Sequence, residues 1–370
     1  MKLGITGASG LLGTHTRALL LGTRGAHEVA LATRETFASA SSLDGFVADL
    51  DGILHFAGMN RGEDSEVIAT NIDLAERLVV SLRNTGSRPS IAYANSTHVD
   101  RGSAYGNGKR RAGEILEEWG REKGARVGNF VLPHIFGEFG KPFYNSVVST
   151  FCFQLATGDA PKIDHDGQVE LLHASNVARH FIDWLESADQ LGLMRLQGEP
   201  MAVSTLLMRL QRMMHRYQAD GVIPTLEDPI DRDLFNTLRS YLFPILYPRA
   251  LPLQVDARGS LFEAIKTDQR GQVFLSTTLP GITRGNHWHM HKVERFLVLS
   301  GSAAICIRRL FSDEVVTFQV NGELPAYVDI PTMHAHSITN TGDGVLQTLF
   351  WANEIFDPAR SDTYPEAVSP

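Results

Sequence analysis

The sequence has only two cysteines, Cys152 and Cys306, far apart along the chain. That excludes a disulfide framework as the source of stability, and a reducing cytoplasm is the compartment that fits. No apolar run approaches the ~18 residues of a membrane span. The opening residues read as a strand, Lys2 to Thr6, with no charged segment leading into an apolar one, so no secretory signal is expected. Basic residues are outnumbered, with a net charge of −8, which removes the electrostatic reason to expect nucleic acid as a partner. Internal repeats and low-complexity tracts are absent. What remains is a chain of 370 residues, 43% hydrophobic and 21% charged, a composition typical of soluble globular proteins. Its length exceeds what one core usually holds, so two domains are expected.

The N-terminal strand runs into Gly7-Ala-Ser9-Gly10-Leu11-Leu12-Gly13 and then a helical stretch, His15 to Leu21. Strand, glycine turn and helix in this order form a dinucleotide-binding arrangement. Gly7 permits the tight turn, Gly10 lets the backbone approach a pyrophosphate, and Gly13 allows close helix packing. The helix N-terminus offers free N–H groups and positive partial charge. A second strand, Glu28 to Ala32, is followed by Arg34. An acidic residue there would bind the ribose 2′-hydroxyl of NAD, whereas an arginine accommodates a 2′-phosphate, so NADP(H) is the expected cofactor. Asp51 to Ala57 reads as the next strand, only about twenty residues after Arg34, too few for a helix, a strand and another helix. The sheet is therefore expected to be trimmed at this edge. A helical stretch opening at Asn71 runs to Leu82, Ser90 to Asn95 is a strand ending at Ser96 and Thr97, and Tyr105-Gly-Asn-Gly-Lys109 precedes the helical run Ala112 to Lys123.

Taken together, Gly7-x2-Gly10-x2-Gly13, Ala57-Gly58, Asn71, Ser96/Thr97 and Tyr105-x3-Lys109 resemble the extended short-chain dehydrogenase/reductases over roughly residues 1 to 240. The resemblance implies that Tyr105 and Lys109, on one helix face at i and i+4, are catalytic. Lys109 would depress the pKa of Tyr105 and bind the nicotinamide ribose, and Tyr105 would exchange a proton with the reacting oxygen. Ser96 or Thr97 would hold that oxygen, with Ser96 favoured by alignment. Asn71 belongs to the associated polar relay. The implied cofactor set is Gly7, Ser9, Gly10, Leu11, Leu12, Gly13, Arg34, Ala57, Gly58, Asn71, Tyr105 and Lys109. A strand, Phe130 to Ile135, leads to the segment where such reductases bind nucleotide sugars. There His134 stands in place of the usual asparagine, and Lys141, Asn145 and Arg179 are candidate contacts to the diphosphate or uracil. Leu171 to Arg179 resembles a later family segment that opens a helix near the substrate. Ser204 to Tyr217 reads as a scaffold helix.

From Tyr241 to Val255 three prolines, Pro244, Pro248 and Pro252, rule out a regular helix and mark a connection. The expected domains are residues 1–245 and 250–370. After the connection the texture changes to short alternating strands with glycine turns, as in an antiparallel barrel. Gln272 to Thr278, Glu294 to Leu299, Ala303 to Arg309 and Val315 to Val320 are examples. His287 and His289, at i and i+2 on a strand, point to one face. Glu294 on the next strand can join them, giving two imidazoles and a carboxylate suited to a divalent transition metal. The spacing Gly281-x5-His287-x-His289-x4-Glu294-x6-Gly301 is similar to the first motif of the cupin family. The second cupin motif implies a further ligand at His336, with His334 as its rival, Met333 standing where glycine is usual, and His291 as a turn residue. Zinc is the first choice, with iron, manganese and nickel as alternatives. Some sugar-epimerising cupins use a His–Asp pair and a tyrosine without metal, but here the ligand set is complete.

The fold class expected is therefore α/β, an N-terminal Rossmann-type doubly wound parallel sheet plus a C-terminal all-β cupin barrel. A reductase followed by a cupin, with Gly285-Asn286-His287-Trp288-His289, Tyr144-Asn145-Ser146-Val-Val, Thr150-Phe-Cys and the tail Trp351 to Pro358, resembles the CapF-type capsular polysaccharide enzymes over nearly the whole chain. That resemblance implies a cytoplasmic homodimer. Its cupin would epimerise C3 of a UDP-2-acetamido-2,6-dideoxy-hexos-4-ulose, and its reductase would reduce C4 with NADPH to UDP-2-acetamido-2,6-dideoxy-L-talose, a precursor of N-acetyl-L-fucosamine. The alternative is a 4-keto-sugar reductase whose cupin is a structural metal and dimer module. A non-enzymatic NADP(H)-responsive module is disfavoured, because a sensor needs no proton donor such as Tyr105.

Overall fold

Strand β1 (Lys2–Thr6) is buried from Leu3 onward, and β3 (Gly52–His55) and β5 (Val127–Leu132) are buried throughout. Continuous burial is what a parallel sheet covered on both faces requires. In the computed structural model, which describes residues 1–23, 25–187 and 192–369, these strands join β2 (Glu28–Ala32), β4 (Ser90–Ser96) and the strand Gly192–Arg195. The six are all parallel, in the order β2-β1-β3-β4-β5-(192–195). Helix α1 (Leu11–Gly22) packs against the helix Ala174–Glu186, while Asp64–Thr85 and Ala104–Lys123 pack against one another. Phe37, Leu43, Val47, Leu78, Leu116 and Trp119 fill one core of this unit. At the trimmed edge two short helices, Arg34–Ala38 and Ala40–Val47, replace the missing crossover.

Three local expectations are corrected. Asn71 does not open its helix, which begins seven residues earlier at Asp64; Asp64 and Glu66 in the first turn complement the helix dipole. The helix expected from Ala112 begins at Ala104, where the Ser103 side chain accepts from the Gly106 N–H at 3.1 Å, so Tyr105 and Lys109 are helical. The strand expected over Phe130–Ile135 is broken at Pro133, which has no N–H for the ladder. The chain beyond it, His134–Phe136, pairs instead in parallel with Gln168–His173, in a three-stranded sheet completed by Glu199–Ala202.

Contacts divide the chain into one unit of Met1–Val147 with His165–Val203 and another of Val148–Asp164 with Ser204–Pro370. The change of sequence texture at 245–250 thus lies inside the second unit, which also holds the helices Val203–Met214 and Pro229–Leu242. Its strands are β6 (Gln272–Thr278), β7 (Thr283–Trp288), β8 (Glu294–Ser300), β9 (Ser302–Arg309), β10 (Val315–Asn321), β11 (Ala326–Ile330), β12 (His334–Asn340) and β13 (Leu346–Ala352). They form two antiparallel five-stranded sheets, (249–250)-β11-β8-β13-β6 and β10-β9-β12-β7-(364–365). The inner faces share a core: Phe296 of one sheet packs 5.5 Å from the His336 ring of the other and 4.5 Å from Phe350.

Candidate active site and candidate metal centre

The glycine turn is shaped for close backbone approach. Gly7 has φ +68°, and a Cβ there would come 2.8 Å from the Ala57 backbone nitrogen. A Cβ on Gly13 would come 2.6 Å from the Ala8 Cα. No side chain caps Gly10 and no acid lies in the first turn of α1, so the positive helix end is left for an anion. Ser9 and Gly10 are exposed, Leu11 and Leu12 half-buried. Thr6 ties the two strand ends together, its Oγ1 accepting from the Ala57 N–H at 3.1 Å and meeting His55 Nδ1 at 2.8 Å. Arg34 is exposed just beyond β2. These features fit a dinucleotide carrying a 2′-phosphate.

Around Tyr105 burial governs the electrostatics. It pushes the phenol up to about 12, with Tyr144 adding to the rise and a hydrogen bond from Ser96 opposing it. Lys109 is 3% exposed, and burial lowers its ammonium to about 7. In the cofactor-free chain Tyr105 is thus raised rather than depressed, because burial of both groups dominates. Lys109 Nζ lies 4.3 Å from the centre of the Tyr93 ring, a cation–π contact that the motif did not foretell. Nearby His55 is held at about 3 by burial and by Lys109. Asn71 donates to the Met59 and Val67 carbonyls, both at 2.7 Å. A Cβ on Gly58 would sit 2.7 Å from Asn71 Oδ1, so this loop needs glycine. Ser96 also accepts from the His98 N–H at 3.3 Å, at the head of the turn that contains Thr97.

The segment after β5 brings some of the expected substrate residues together. Arg61 donates to the Phe143 carbonyl at 2.9 Å and to Asn145 Oδ1 at 3.2 Å. Arg61 and Lys141 lie 5.5 and 5.2 Å from the Tyr144 ring centre. His134, kept neutral by burial with a pKa of about 4, uses Nε2 to accept from the Val147 N–H at 3.2 Å. It thus fastens this segment from beneath. Arg179 is exposed on the helix Ala174–Glu186, outside the segment.

In the second unit His287, His289, Glu294 and His336 converge, each offering a ligand atom, all within 4.8 Å of one another. A bulge between Gly285 and His287, with Asn286 at φ +57°, sets His287 opposite His336. Gly285 is required there, since a Cβ would come 2.7 Å from the His336 carbonyl oxygen. Met333, standing where the cupin pattern has glycine, adopts a left-handed φ of +58°. His334 is turned away, its Nδ1 donating to the Thr332 carbonyl at 2.8 Å and its ring 5.0 Å from Phe243.

The tautomers are set by carbonyls. His289 Nδ1 faces the Asp362 carbonyl at 2.5 Å and His336 Nδ1 faces the His334 carbonyl at 3.2 Å, so each donates there. In the neutral rings each Nε2 therefore presents a lone pair toward Glu294 Oε2, at 2.9 and 3.6 Å, without the direction of a hydrogen bond. Lone pairs facing a buried carboxylate require a cation between them. Burial opposes charge on His289, but Glu294 outweighs it and raises that imidazole; burial opposes charge on Glu294, but His289 and His336 hold the carboxyl well below its usual range. Burial and the neighbouring rings of His336 and His289 keep His287 down at about 3. Three imidazoles and one carboxylate also match a tetrahedral divalent metal, and the carbonyls behind the rings are the outer-shell partners that such ligands use. Asp362 was missed from sequence because it lies far along the chain; its carboxylate accepts from the Met290, His291 and Lys292 N–H groups at 3.0, 2.7 and 2.7 Å.

Two family models match successive stretches of the chain. The model of the NAD dependent epimerase/dehydratase family matches residues 3–193. The chain belongs to that family. The model of the polysaccharide biosynthesis C-terminal domain matches residues 254–364. The UDP-2-acetamido-2,6-beta-L-arabino-hexul-4-ose reductase of Pseudomonas aeruginosa is 32% identical over 100% of this chain and 99% of its own. The crystal structure of the capsular polysaccharide assembling protein CapF from Staphylococcus aureus superposes with a TM-score of 0.63 at 30% identity, covering 99% of this chain and 100% of that one. RMD from Pseudomonas aeruginosa, complexed with NADPH, shares the fold at TM-score 0.55 and 18% identity, over 65% of this chain and 97% of its own.

The epimerase/dehydratase domain holds a second buried cluster, His15, Glu138 and His173. Glu138 Oε2 lies 3.0 Å from His173 Nε2 and 3.7 Å from His15 Nε2, and His15 Nε2 also reaches the Glu138 carbonyl at 3.2 Å. No spacing in the sequence connects these three residues.

Proposed function

We propose that this family member is a bifunctional nucleotide-sugar enzyme of capsule or O-antigen precursor synthesis. It epimerises C3 of a UDP-2-acetamido-2,6-dideoxy-hexos-4-ulose in the cupin-type domain and reduces the C4 ketone in the epimerase/dehydratase domain, giving UDP-2-acetamido-2,6-dideoxy-L-talose. The observation that carries this reading is the presence in one chain of a Ser96–Tyr105 proton-donor pair and a His287/His289/Glu294/His336 cluster whose lone pairs converge. The full-length similarity to a UDP-sugar 4-ulose reductase supports it.

NADP(H), held by the glycine turn, Arg34, the Ala57-Gly58 loop, Asn71, Tyr105 and Lys109, would supply the hydride for C4. A divalent metal, zinc as first choice, held by His287, His289, Glu294 and His336, would stabilise negative charge on the sugar oxygens during inversion at C3. The chain's own groups do the rest. The C4 ketone acidifies the proton on C3. Tyr105, which burial keeps protonated at neutral pH, donates its proton to the C4 oxygen as the alcohol forms. Ser96 holds that oxygen, with Thr97 beside it. Lys141, Asn145, Arg179 and His134 are assigned to the UDP moiety or to the loop that carries it.

We place the enzyme in the cytoplasm, in keeping with its two free cysteines, and no helix among the described residues is long and apolar enough to cross a membrane. A homodimer is supported by edge strand β6, which exposes Val273, Phe274 and Leu275 together. A 4-keto-sugar reductase alone, with the second domain as a structural module, is the second reading, favoured by the name of the Pseudomonas relative. Incubation with a UDP-4-keto-6-deoxy-HexNAc and NADPH, followed by NMR at C3 and C4, separates them. Inversion at C3 with reduction at C4 is expected; reduction with C3 retained leaves the second reading, and no reduction refutes both.

A further inference from the structure

We infer that Glu138 is a positioning residue whose carboxylate locks the substrate-facing loop to the helix capped by His173; its kinetic consequence rests on the function proposed above. Glu138 is 1% exposed, and a carboxylate so buried is strongly unfavourable unless it is hydrogen-bonded. Its partners come from two different elements. His15 lies in α1, directly behind the glycine turn, and His173 caps the helix Ala174–Glu186. Glu138 therefore ties the loop that starts at Gly137 to the second helix through its carboxylate and to the cofactor helix through its backbone carbonyl.

The tautomers distinguish this cluster from a metal centre. The Ser175 N–H points at His173 Nδ1 at 3.4 Å, so Nδ1 carries the lone pair and Nε2 the proton. His173 Nε2 then donates to Glu138 Oε2 at 3.0 Å, and His15 Nε2 donates to the Glu138 carbonyl at 3.2 Å. Both rings present protons to Glu138, the reverse of His289 and His336. The cluster is a hydrogen-bonded clamp.

What it clamps is a segment in conformations the backbone disfavours. Gly137 has φ +157°, and a Cβ there would lie 2.9 Å from His15 Nε2 and 3.1 Å from His173 Nε2, so only glycine passes between the rings. Phe139 and Phe143 follow at φ +66° and +55°, left-handed conformations that side chains other than glycine rarely adopt. Glu138 holds the start of this segment, Arg61 holds Phe143 and Asn145, and His134 holds Val147 at its end. Between these anchors stand Lys141 and Tyr144, and Tyr144 acts electrostatically on Tyr105. With the clamp released, Lys141, Tyr144 and Asn145 lose a fixed position while Tyr105 and the glycine turn keep theirs.

The test uses the full-length protein with Glu138→Gln and, separately, His173→Gln. Hydrogen exchange of residues 137–146 should rise in both variants while the rest of the domain stays protected. UDP affinity should fall and KM for the keto sugar should rise roughly 10- to 100-fold, the scale of one lost charge-assisted hydrogen bond. kcat and NADPH affinity should stay within about twofold, a change below RT in free energy. Because both changes release the same clamp, the double variant should be no worse than either single one. Unchanged exchange in 137–146, or exchange rising over the whole domain with a lower Tm, overturns the inference. If the unmodified enzyme reduces no keto sugar, the proposed function fails while the exchange pattern still decides the clamp. If Glu138→Gln does not fold, His173→Gln carries the same readouts.

Discussion

His289 Nε2 lies 2.9 Å from Glu294 Oε2 while its Nδ1 donates to the Asp362 carbonyl. The ring is thus committed to presenting a lone pair to a carboxylate, and His336 repeats the arrangement from the neighbouring strand. Purified protein should carry about one divalent metal per chain by elemental analysis, since three imidazoles and a carboxylate converge on one point. His336→Ala should lower the metal content severalfold, and His334→Ala should not, since His334 faces Phe243. Chelation should abolish deuterium exchange at C3 of the keto sugar and leave C4 reduction of a pre-epimerised ketone intact. Equal metal content in wild type and His336→Ala would refute the ligand assignment.

Removing the proton donor isolates the reduction step. Tyr105→Phe should lower kcat for C4 reduction by roughly 10²–10⁴-fold, the usual worth of a positioned general acid. NADPH binding, followed by nicotinamide fluorescence, should weaken far less than kcat falls, since Tyr105 is one of many proposed cofactor contacts. C3 exchange in D2O should persist, because it belongs to the other cluster.

Cofactor preference tests Arg34. Arg34→Asp should weaken NADPH binding by roughly 10- to 100-fold, as one charged contact to the 2′-phosphate is lost. It should also improve NADH binding. A titration with both cofactors measures the ratio, and an unchanged ratio removes Arg34 from the site.

Lys109 yields a pH prediction with a definite sign. Burial lowers its pKa from 10.5 to about 7, so between these values the unfolded chain binds the extra proton and the folded one does not. Stability of the cofactor-free protein should therefore gain from this group as pH rises through that window, with a limiting slope of about 1.4 kcal/mol per pH unit. The slope is read as the difference between wild type and Lys109→Met in denaturant unfolding at several pH values. A difference that falls with pH contradicts the buried, half-neutral lysine.

The amino-acid sequence by itself determined what depends on neighbours in the chain. The glycine turn, the parallel strands, Tyr105 and Lys109 one helical turn apart, and the alternating strands of the second half are all written at short spacing. Backbone sterics and side-chain periodicity act over a few residues. Even so, Pro133 moved a strand into another sheet, and the first turns of the helices that start at Asp64 and Ala104 lay beyond the periodic pattern. The tertiary structure alone decided the rest. His336 was set apart from His334 by the ring beside each, and the tautomers of His289 and His336 by carbonyls on folded strands. Tyr105 was raised and Lys109 lowered because of burial, which no spacing encodes. Glu138 meets His173 across 35 residues and His15 across 123. Such partners share no local pattern, since they become neighbours only when the helix behind the glycine turn and the loop after β5 pack into one interior, where a carboxylate deprived of water must find its hydrogen bonds from whatever the fold has brought near.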